Sequence, residues 1–377
     1  MEYIKLKHIA KYPTGKLNSN AAEENGIYPF FTCSHDIYRI NTYAYDGEYV
    51  LLGGNNATGD FPIFYYNGKF NAYQRTYLIQ PKDTKQYDTR YLFYSIGLKL
   101  SLMQNNAAGT ATRFLTQPIL DNINIEYRPL PIQQKIASIL STYDNLIQNY
   151  KKQIEDLQTC ASELYKEWFV RFRFPGYQTT QFENGIPVGW EVERLRDVVQ
   201  DVGKTISKSD IDYKSDTYIP IDCIPNHNMA LSEVSGIENA ESSLQHFESG
   251  DILFGAMRVY FHKVIIAPMQ GVTRKTCFVI NSSEPILRYY LYLLLFQDST
   301  INYANTISVG ATMPYVRWND FMRMQCLIPK KELLLEFNKT IEPIMKKIVG
   351  SYSFIQNLIQ QRDLLLPRLM SGKLEIK

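Results

Sequence analysis

The 377-residue chain reads as an α+β protein: two mixed α/β globules, each followed by a long helix, forming one internal pseudo-two-fold repeat. Three observations predict this. Two stretches carry apolar residues at alternating three- and four-residue steps for about 37 residues, well past ordinary helix length. The segments preceding them echo each other at a nearly constant offset. Short β-branched and aromatic runs, bounded by glycine and polar residues, occupy each of those segments.

The first seam runs through Ile132, Ile136, Ile139, Tyr143, Leu146, Tyr150, Ile154, Leu157, Ala161, Leu164 and Trp168, with an extra four-residue step after Tyr150. The second runs through Leu334, Phe337, Ile341, Ile344, Ile348, Tyr352, Ile355, Ile359, Arg362, Leu366 and Leu369, with its extra step after Ile348. Tyr150 and Ile348 stand 198 positions apart, and the same offset carries Pro131 onto Pro329 and Asp144 onto Glu342. An irregularity repeated in register marks a duplication rather than two unrelated amphipathic helices. Pro343 lacks an N–H and predicts a break, with the proline in the first turn of the longer helix. Arg362 predicts an exposed stretch of the second seam.

Within the globules, residues 109–115 (GTATRFL) align with 310–316 (GATMPYV) at an offset of 201. Residues 47–51 (GEYVL) resemble 250–254 (GDILF), and 71–79 (NAYQRTYLI) resemble 271–280 (GVTRKTCFVI). Strands are expected over 49–52, 63–66 and 77–79, and over 252–254, 263–267 and 278–280. Helices are expected over 89–104 and 285–304. The division is then 1–129 first globule, 130–173 first long helix, 174–329 second globule and 330–377 second long helix. Residues 174–181 (FPGYQTTQ), rich in breakers and polar groups, join the halves.

Composition bounds the function. With 45% hydrophobic and 21% charged residues the chain can bury a core, which excludes global disorder. Cys33, Cys160, Cys223, Cys277 and Cys326 are scattered, odd in number and without a Cys-x-x-Cys pair, which argues against a disulfide framework. The first residues lack the apolar core of a signal peptide, and the richest apolar run, 289–296, is too short to span a bilayer, so a soluble cytoplasmic chain is expected. A net charge of +2 does not by itself predict nucleic-acid binding. Gly203-Lys204-Thr205 looks like the tail of a phosphate loop, but Val198 stands where the first glycine is needed. Glu375-Ile376-Lys377 imitates a nuclease Glu-x-Lys without a surrounding scaffold, and Met313-Pro314-Tyr315 does not supply an amino-methyltransferase motif. His8, His35, His227, His246 and His262 show no metal-ligand spacing. A chain without catalytic residues, metal or cofactor is expected.

Four further stretches carry a family resemblance: 129–136 (PLPIQQKI) followed by Ile139, Leu140, Asp144 and Ile147; 364–372 (LLLPRLMSG); 186–195 (IPVGWEVERL); and 68–75 (GKFNAYQR). In their order and spacing, across the whole chain, they resemble the specificity subunit of type I restriction-modification systems. The resemblance implies two target-recognition domains separated by two long antiparallel coiled-coil helices, reading a bipartite asymmetric DNA site. Each half-site would be read in the major groove, where base edges are unambiguous. Each helix would act as a ruler of roughly 55 Å, enough to set the domains about one DNA turn, near 34 Å, apart.

The implied partners are double-stranded DNA, two modification (methyltransferase) subunits and restriction (translocase-nuclease) subunits. S-adenosylmethionine, ATP and Mg would then belong to those partners, with none in this chain. Flanking modification subunits would also supply phosphate contacts that the modest net charge does not. Candidate base readers follow from side-chain chemistry, Arg suiting guanine and Asn or Gln suiting adenine. They are Asn55, Asn56, Gln74, Arg75 and Arg113 in the first globule, and Arg258, Lys263, Arg274, Lys275 and Arg317 in the second. Gly109 and Gly310 permit tight backbone turns. The competing reading of the repeat is a coiled-coil scaffold joining two interaction domains without DNA.

Overall fold

A computed structural model describes residues 2–56, 59–106 and 114–374. The chain divides into two compact units, Met1–Leu146 with Leu358–Lys377, and Ile147–Asn357. Among the described residues no helix is long and apolar enough to cross a membrane.

In the first unit, β1 (Tyr3–Lys5), α1 (Leu6–Ile9) and β2 (Ala10–Lys11) open the chain. They are followed by β3 (Tyr28–Phe31), β4 (Tyr38–Ile40), β5 (Tyr45–Gly53), β6 (Ile63–Ala72) and β7 (Thr76–Pro81). A sheet forms in the order β2-β7-β5-β6-β3-β4. Side chains alternate along a strand. Val50, Leu52 and Ile79 therefore join one core with Tyr91, Leu92 and Ile96 of α2 (Thr89–Asn106), while Leu51, Leu78 and Phe70 join a second with Phe31. Burial on both faces is why this strand reads as an unbroken apolar run. Then come α3 (Gln117–Asp121), β8 (Asn124–Glu126), which pairs with β1, and α4 (Leu130–Tyr165). Gln133 is fully buried near the start of α4. Its Nε2 donates to the carbonyls of Gln86 (2.9 Å) and Arg128 (2.7 Å), and its Oε1 accepts from Asp88 N–H (2.9 Å). A buried amide so satisfied is stable where an unpaired one would not be.

The second unit begins with the end of α4 and a short hairpin, β9 (Phe182–Glu183) and β10 (Ile186–Pro187). Next come β11 (Glu191–Arg194), α5 (Leu195–Val198), β12 (Val199–Asp201), β13 (Lys204–Ile206), β14 (Thr217–Tyr218), β15 (Leu244–Phe247), β16 (Ile252–Gly255), β17 (Val264–Ile266), β18 (Gly271–Arg274) and β19 (Cys277–Ser282). They form two sheets, β12-β19-β16-β17 and β13-β15-β18-β14. The single helix expected over 285–304 is instead α6 (Arg288–Leu295) and α7 (Asp298–Thr306), parted at Phe296 and Gln297, where the Thr300 hydroxyl takes the Leu294 carbonyl at 2.7 Å. Finally α8 (Trp318–Phe321) and β20 (Gln325–Ile328), paired with β11, lead into α9 (Lys331–Met370).

The duplication is visible bond by bond. Tyr3 lies opposite Glu126 in the first unit and Val192 opposite Leu327 in the second. Leu6 N–H donates to Ile123 (2.8 Å) as Leu195 N–H does to Met324 (2.8 Å), and Lys82 N–H to Ile9 (2.8 Å) as Ser283 N–H to Val198 (2.9 Å). Gly53 faces Thr76 as Gly255 faces Cys277.

Both long helices bury heptad lines: Gln133, Leu140, Ile147, Ile154 and Ala161 on α4, and Leu334, Ile341 and Ile348 on α9. These lines correspond at 201, not the 198 of the repeated step. Three residues is close to one helical turn, so an apolar pattern matches itself at either offset. In the first unit, Asp144 Oδ1 sits 2.7 Å from Arg362 Nη1. In the second, Tyr150 packs on Phe354 at 5.1 Å and Trp168 on Phe337 at 5.5 Å. Within the second unit the partners on α9 descend in number as the α4 side ascends, so the two helical segments run antiparallel there.

Three expectations about the helices need correction. Of the predicted seam, Ile136, Ile154, Ala161, Leu334, Phe337, Ile341, Ile348 and Leu369 are buried; Ile132, Ile139, Tyr143, Tyr150, Leu157, Leu164, Trp168, Ile344, Tyr352, Ile355, Ile359, Arg362 and Leu366 are half-buried; Leu146 is 40% exposed. Ile147 takes the inward place, one heptad after Leu140. Pro343 does not break α9. It and Lys339, whose carbonyl loses its donor, both face solvent, so water can replace the missing bond. Arg362 is not on an exposed stretch: it is half-buried against Asp144, whose other oxygen accepts from Tyr94 Oη. Leu140→Ala is expected to cost about 2–5 kcal/mol of stability and Leu146→Ala under about 1 kcal/mol. Urea denaturation of both variants checks this, and equal losses would contradict the burial assigned here.

Candidate nucleic-acid interface

The end of β5, the turn between β6 and β7 and the strand-like entry to α3 converge at one end of the central strands of the first sheet. Gly54 N–H donates to the Arg75 carbonyl at 2.8 Å, and Leu115 N–H donates to the Gly54 carbonyl at 2.9 Å. Asn55 bridges to Phe114, and Tyr77 Oη donates to the Leu115 carbonyl at 2.8 Å. Gln74 N–H is pinned to the Leu17 carbonyl at 2.8 Å. Cys33 Sγ approaches the Arg75 carbonyl at 3.6 Å; burial pushes its thiol up, so it stays a neutral donor. Asn55, Asn56, Gln74 and Arg75 are thus brought together, with Gln74 and Arg75 exposed and the asparagines half-buried. Arg113, like Gly109, lies outside the described residues.

The second unit repeats the arrangement. Ala256 N–H donates to Thr276 (2.8 Å), Val316 N–H to Ala256 (2.9 Å), and Met257 bridges to Tyr315. Arg258 adds a bond from its N–H to Pro314 at 2.7 Å, in a left-handed conformation with φ of 50°. Arg274 and Lys275 are exposed on the turn leading to Thr276, and Arg317 is exposed beside Val316. Lys263 is placed differently from its neighbours. Its ammonium donates to the carbonyls of Ile221 (2.8 Å) and Asp222 (3.3 Å), so its charge is already engaged within the unit.

Ile221, Asp222, Asn226, Met257, Arg258, Phe261 and Lys263 line a cavity of about 260 Å³. Arg258 Nε is buried without a hydrogen-bond partner among the described residues. Sequence reasoning missed Asp222, Asn226 and Phe261, because they come from a long irregular segment and a single turn with no periodicity to mark them. Exposed Tyr260 and Phe261 project from the same turn as Arg258.

The stretch from Gly203 to Thr205 leads into a sheet. Lys204 and Thr205 enter a strand paired with His246 and Gln245 rather than opening a helix, so their N–H groups do not form a phosphate cradle. Glu375, Ile376 and Lys377 lie outside the described residues.

Two copies of one α/β unit, each presenting a polar loop cluster and sharing two antiparallel helices, define a duplicated recognition module. Residues 1–159 and 187–361 match the type I restriction modification DNA specificity domain family. The chain belongs to that family. It is 28% identical to the type I restriction enzyme EcoDI specificity subunit of Escherichia coli, over 98% of this chain and 88% of that protein. It is 30% identical to the MjaIX specificity subunit of Methanocaldococcus jannaschii, over 79% of this chain and 72% of that protein. A crystal structure of the S subunit of a type I restriction-modification system from M. genitalium shares the fold, with a TM-score of 0.65 at 14% identity, covering 98% of this chain and 95% of that one.

Proposed function

We propose that this chain reads a bipartite, asymmetric DNA sequence, one half-site through each loop cluster, and directs adenine methylation and restriction carried out by partner subunits. One observation carries the reading: the same backbone convergence is built twice and furnished with different side chains. Asn55, Asn56, Gln74 and Arg75 suit adenine and guanine edges in one cluster; Arg258, Arg274, Lys275 and Arg317 suit guanine and phosphate in the other. Arg113 would join the first set and Lys263 the second. Dissimilar readers imply dissimilar half-sites.

In this reading the chain is the recognition component. Two modification subunits would hold S-adenosylmethionine, and restriction subunits would hold ATP and Mg. Family membership supports such an assembly, and the modest net charge of +2 fits a chain that shares phosphate contacts with partners.

The test is to assemble the chain with the modification subunit of the same source and supply labelled S-adenosylmethionine and host DNA. Methylated adenines are expected in a split sequence with an unread gap. If a folded, verified complex methylates without a shared sequence, or binds no DNA, the scaffold reading replaces this one.

A further inference from the structure

The second unit also gathers three metal-capable side chains from segments far apart in sequence, a grouping that histidine spacing alone did not reveal. One ligand atom each from His227, His262 and Asp298 lies within 4.8 Å of the other two.

His262 is the anchor. It is 2% exposed, and its Nε2 lies 2.9 Å from the Phe296 carbonyl. A carbonyl only accepts, so Nε2 carries a proton, and in the neutral ring Nδ1 then keeps its lone pair. That Nδ1 is buried without a hydrogen-bond partner among the described residues and faces Asp298 Oδ1 at 3.4 Å. A carboxylate also only accepts. With the ring neutral, two electron-rich atoms face each other, an arrangement relieved by a second proton on the ring or by a cation between them.

The scaffold around the trio is fixed. His227 and His262 both hold left-handed backbone conformations, with φ of 50° and 54°, unusual for residues with a Cβ. His227 N–H donates to the His262 carbonyl at 3.1 Å. The Gln158 amide of α4 clamps the same loop, donating to the His227 carbonyl at 2.7 Å and accepting from Met229 N–H at 2.8 Å. The two imidazole rings lie 4.2 Å apart. Asp298, the first residue of α7, has a side chain 76% exposed and free to adjust. For bonds of about 2.0–2.1 Å, the edge of a tetrahedral coordination shell is roughly 3.3–3.4 Å, which the His262–Asp298 separation matches.

We propose that His227, His262 and Asp298 form a site for one divalent transition cation, Zn²⁺ being the best fit, with a fourth position open to water. Two imidazoles select against Mg²⁺ and Ca²⁺. The Phe296 carbonyl is the outer partner that fixes the ligating tautomer. The cation ties the His227 loop, the Val259–Phe261 turn and the start of α7 together, and so steadies the turn that begins at Arg258.

Full-length protein titrated with Zn²⁺ against a chromogenic chelator, and with Co²⁺ by absorption spectroscopy, tests the site. One ion per chain is expected, with Co²⁺ d–d bands of low coordination number and no thiolate charge-transfer band. His227→Ala and Asp298→Asn, both at exposed positions, should each weaken binding at least about tenfold. Zn²⁺ should raise the unfolding temperature of the wild type and not of the variants. His262→Asn is avoided as the primary variant because its burial makes misfolding the trivial outcome. Absence of saturable binding at micromolar metal, a thiolate band, or binding unchanged in either variant would overturn the proposal.

Discussion

Arg75→Ala, in the complex assembled with modification subunits, is expected to lose affinity for one half-site by roughly 5- to 150-fold, the worth of about 1–3 kcal/mol for a bidentate arginine–guanine contact. The effect should vanish when the corresponding base pair is replaced, and substitutions in the other half-site should behave as in the wild type. The residue sits on a firmly held turn. Its carbonyl is held by Gly54 N–H at 2.8 Å, and Thr76 N–H closes the turn onto Tyr73 at 2.9 Å. Thr76 is itself buried, with its hydroxyl donating to the Phe31 carbonyl at 3.3 Å. A rigid backbone under an exposed guanidinium positions the group before DNA arrives, which lowers the ordering cost of contact. Binding of cognate and single-substituted duplexes, at several salt concentrations, separates the possible roles. If Arg75→Ala weakened every sequence equally and lowered the salt slope by about one, the residue would be a phosphate contact and not a reader.

The residues that could be read from the sequence share a physical property: their environment repeats. Strands β5 and β16 were legible because both of their faces are covered, which forces short continuous apolar runs at matching positions. The heptad lines on α4 and α9 were legible as helices, yet the inward residue was misassigned at Leu146. A seam traced by three- and four-residue steps drifts in phase against a helix of 3.6 residues per turn, and only the packed partner decides between Leu146 and Ile147. Pro343 was misjudged because a proline's penalty depends on whether the orphaned carbonyl meets water, which depends on the facing element. Lys263 looked like its exposed neighbours in sequence, and only the fold brings the carbonyls of Ile221 and Asp222 onto its ammonium. The His227, His262 and Asp298 grouping was invisible for the same reason, since each residue comes from a different segment and no short spacing links them.

Phe169→Ala should be among the most destabilising single changes in the second unit, at about 3–5 kcal/mol. Phe169 is buried in the turn that ends α4, where Lys166–Val170 widens into a π-helical turn. Its ring meets Tyr290 at 4.8 Å and Phe337 at 4.7 Å edge to face, Tyr165 at 5.3 Å and Trp190 at 5.9 Å. Such pairs add about 0.5–1.5 kcal/mol each beyond the area they bury, and removing the ring strips all of them at once. Trp190 itself belongs to the IPVGW stretch and also packs on Phe172 at 5.4 Å and Phe174 at 5.6 Å. One aromatic cluster therefore secures the exit of α4, the start of the second globule and the first turns of α9. Phe354→Ala is the matched control, since that ring is 55% exposed and touches Tyr150 alone among aromatic rings of the described residues; it should cost under about 1 kcal/mol. With total stability on the order of 5–15 kcal/mol, the first variant should lower the urea midpoint sharply and the second barely. Similar midpoints for the two would mean that the cluster is not what holds this junction together.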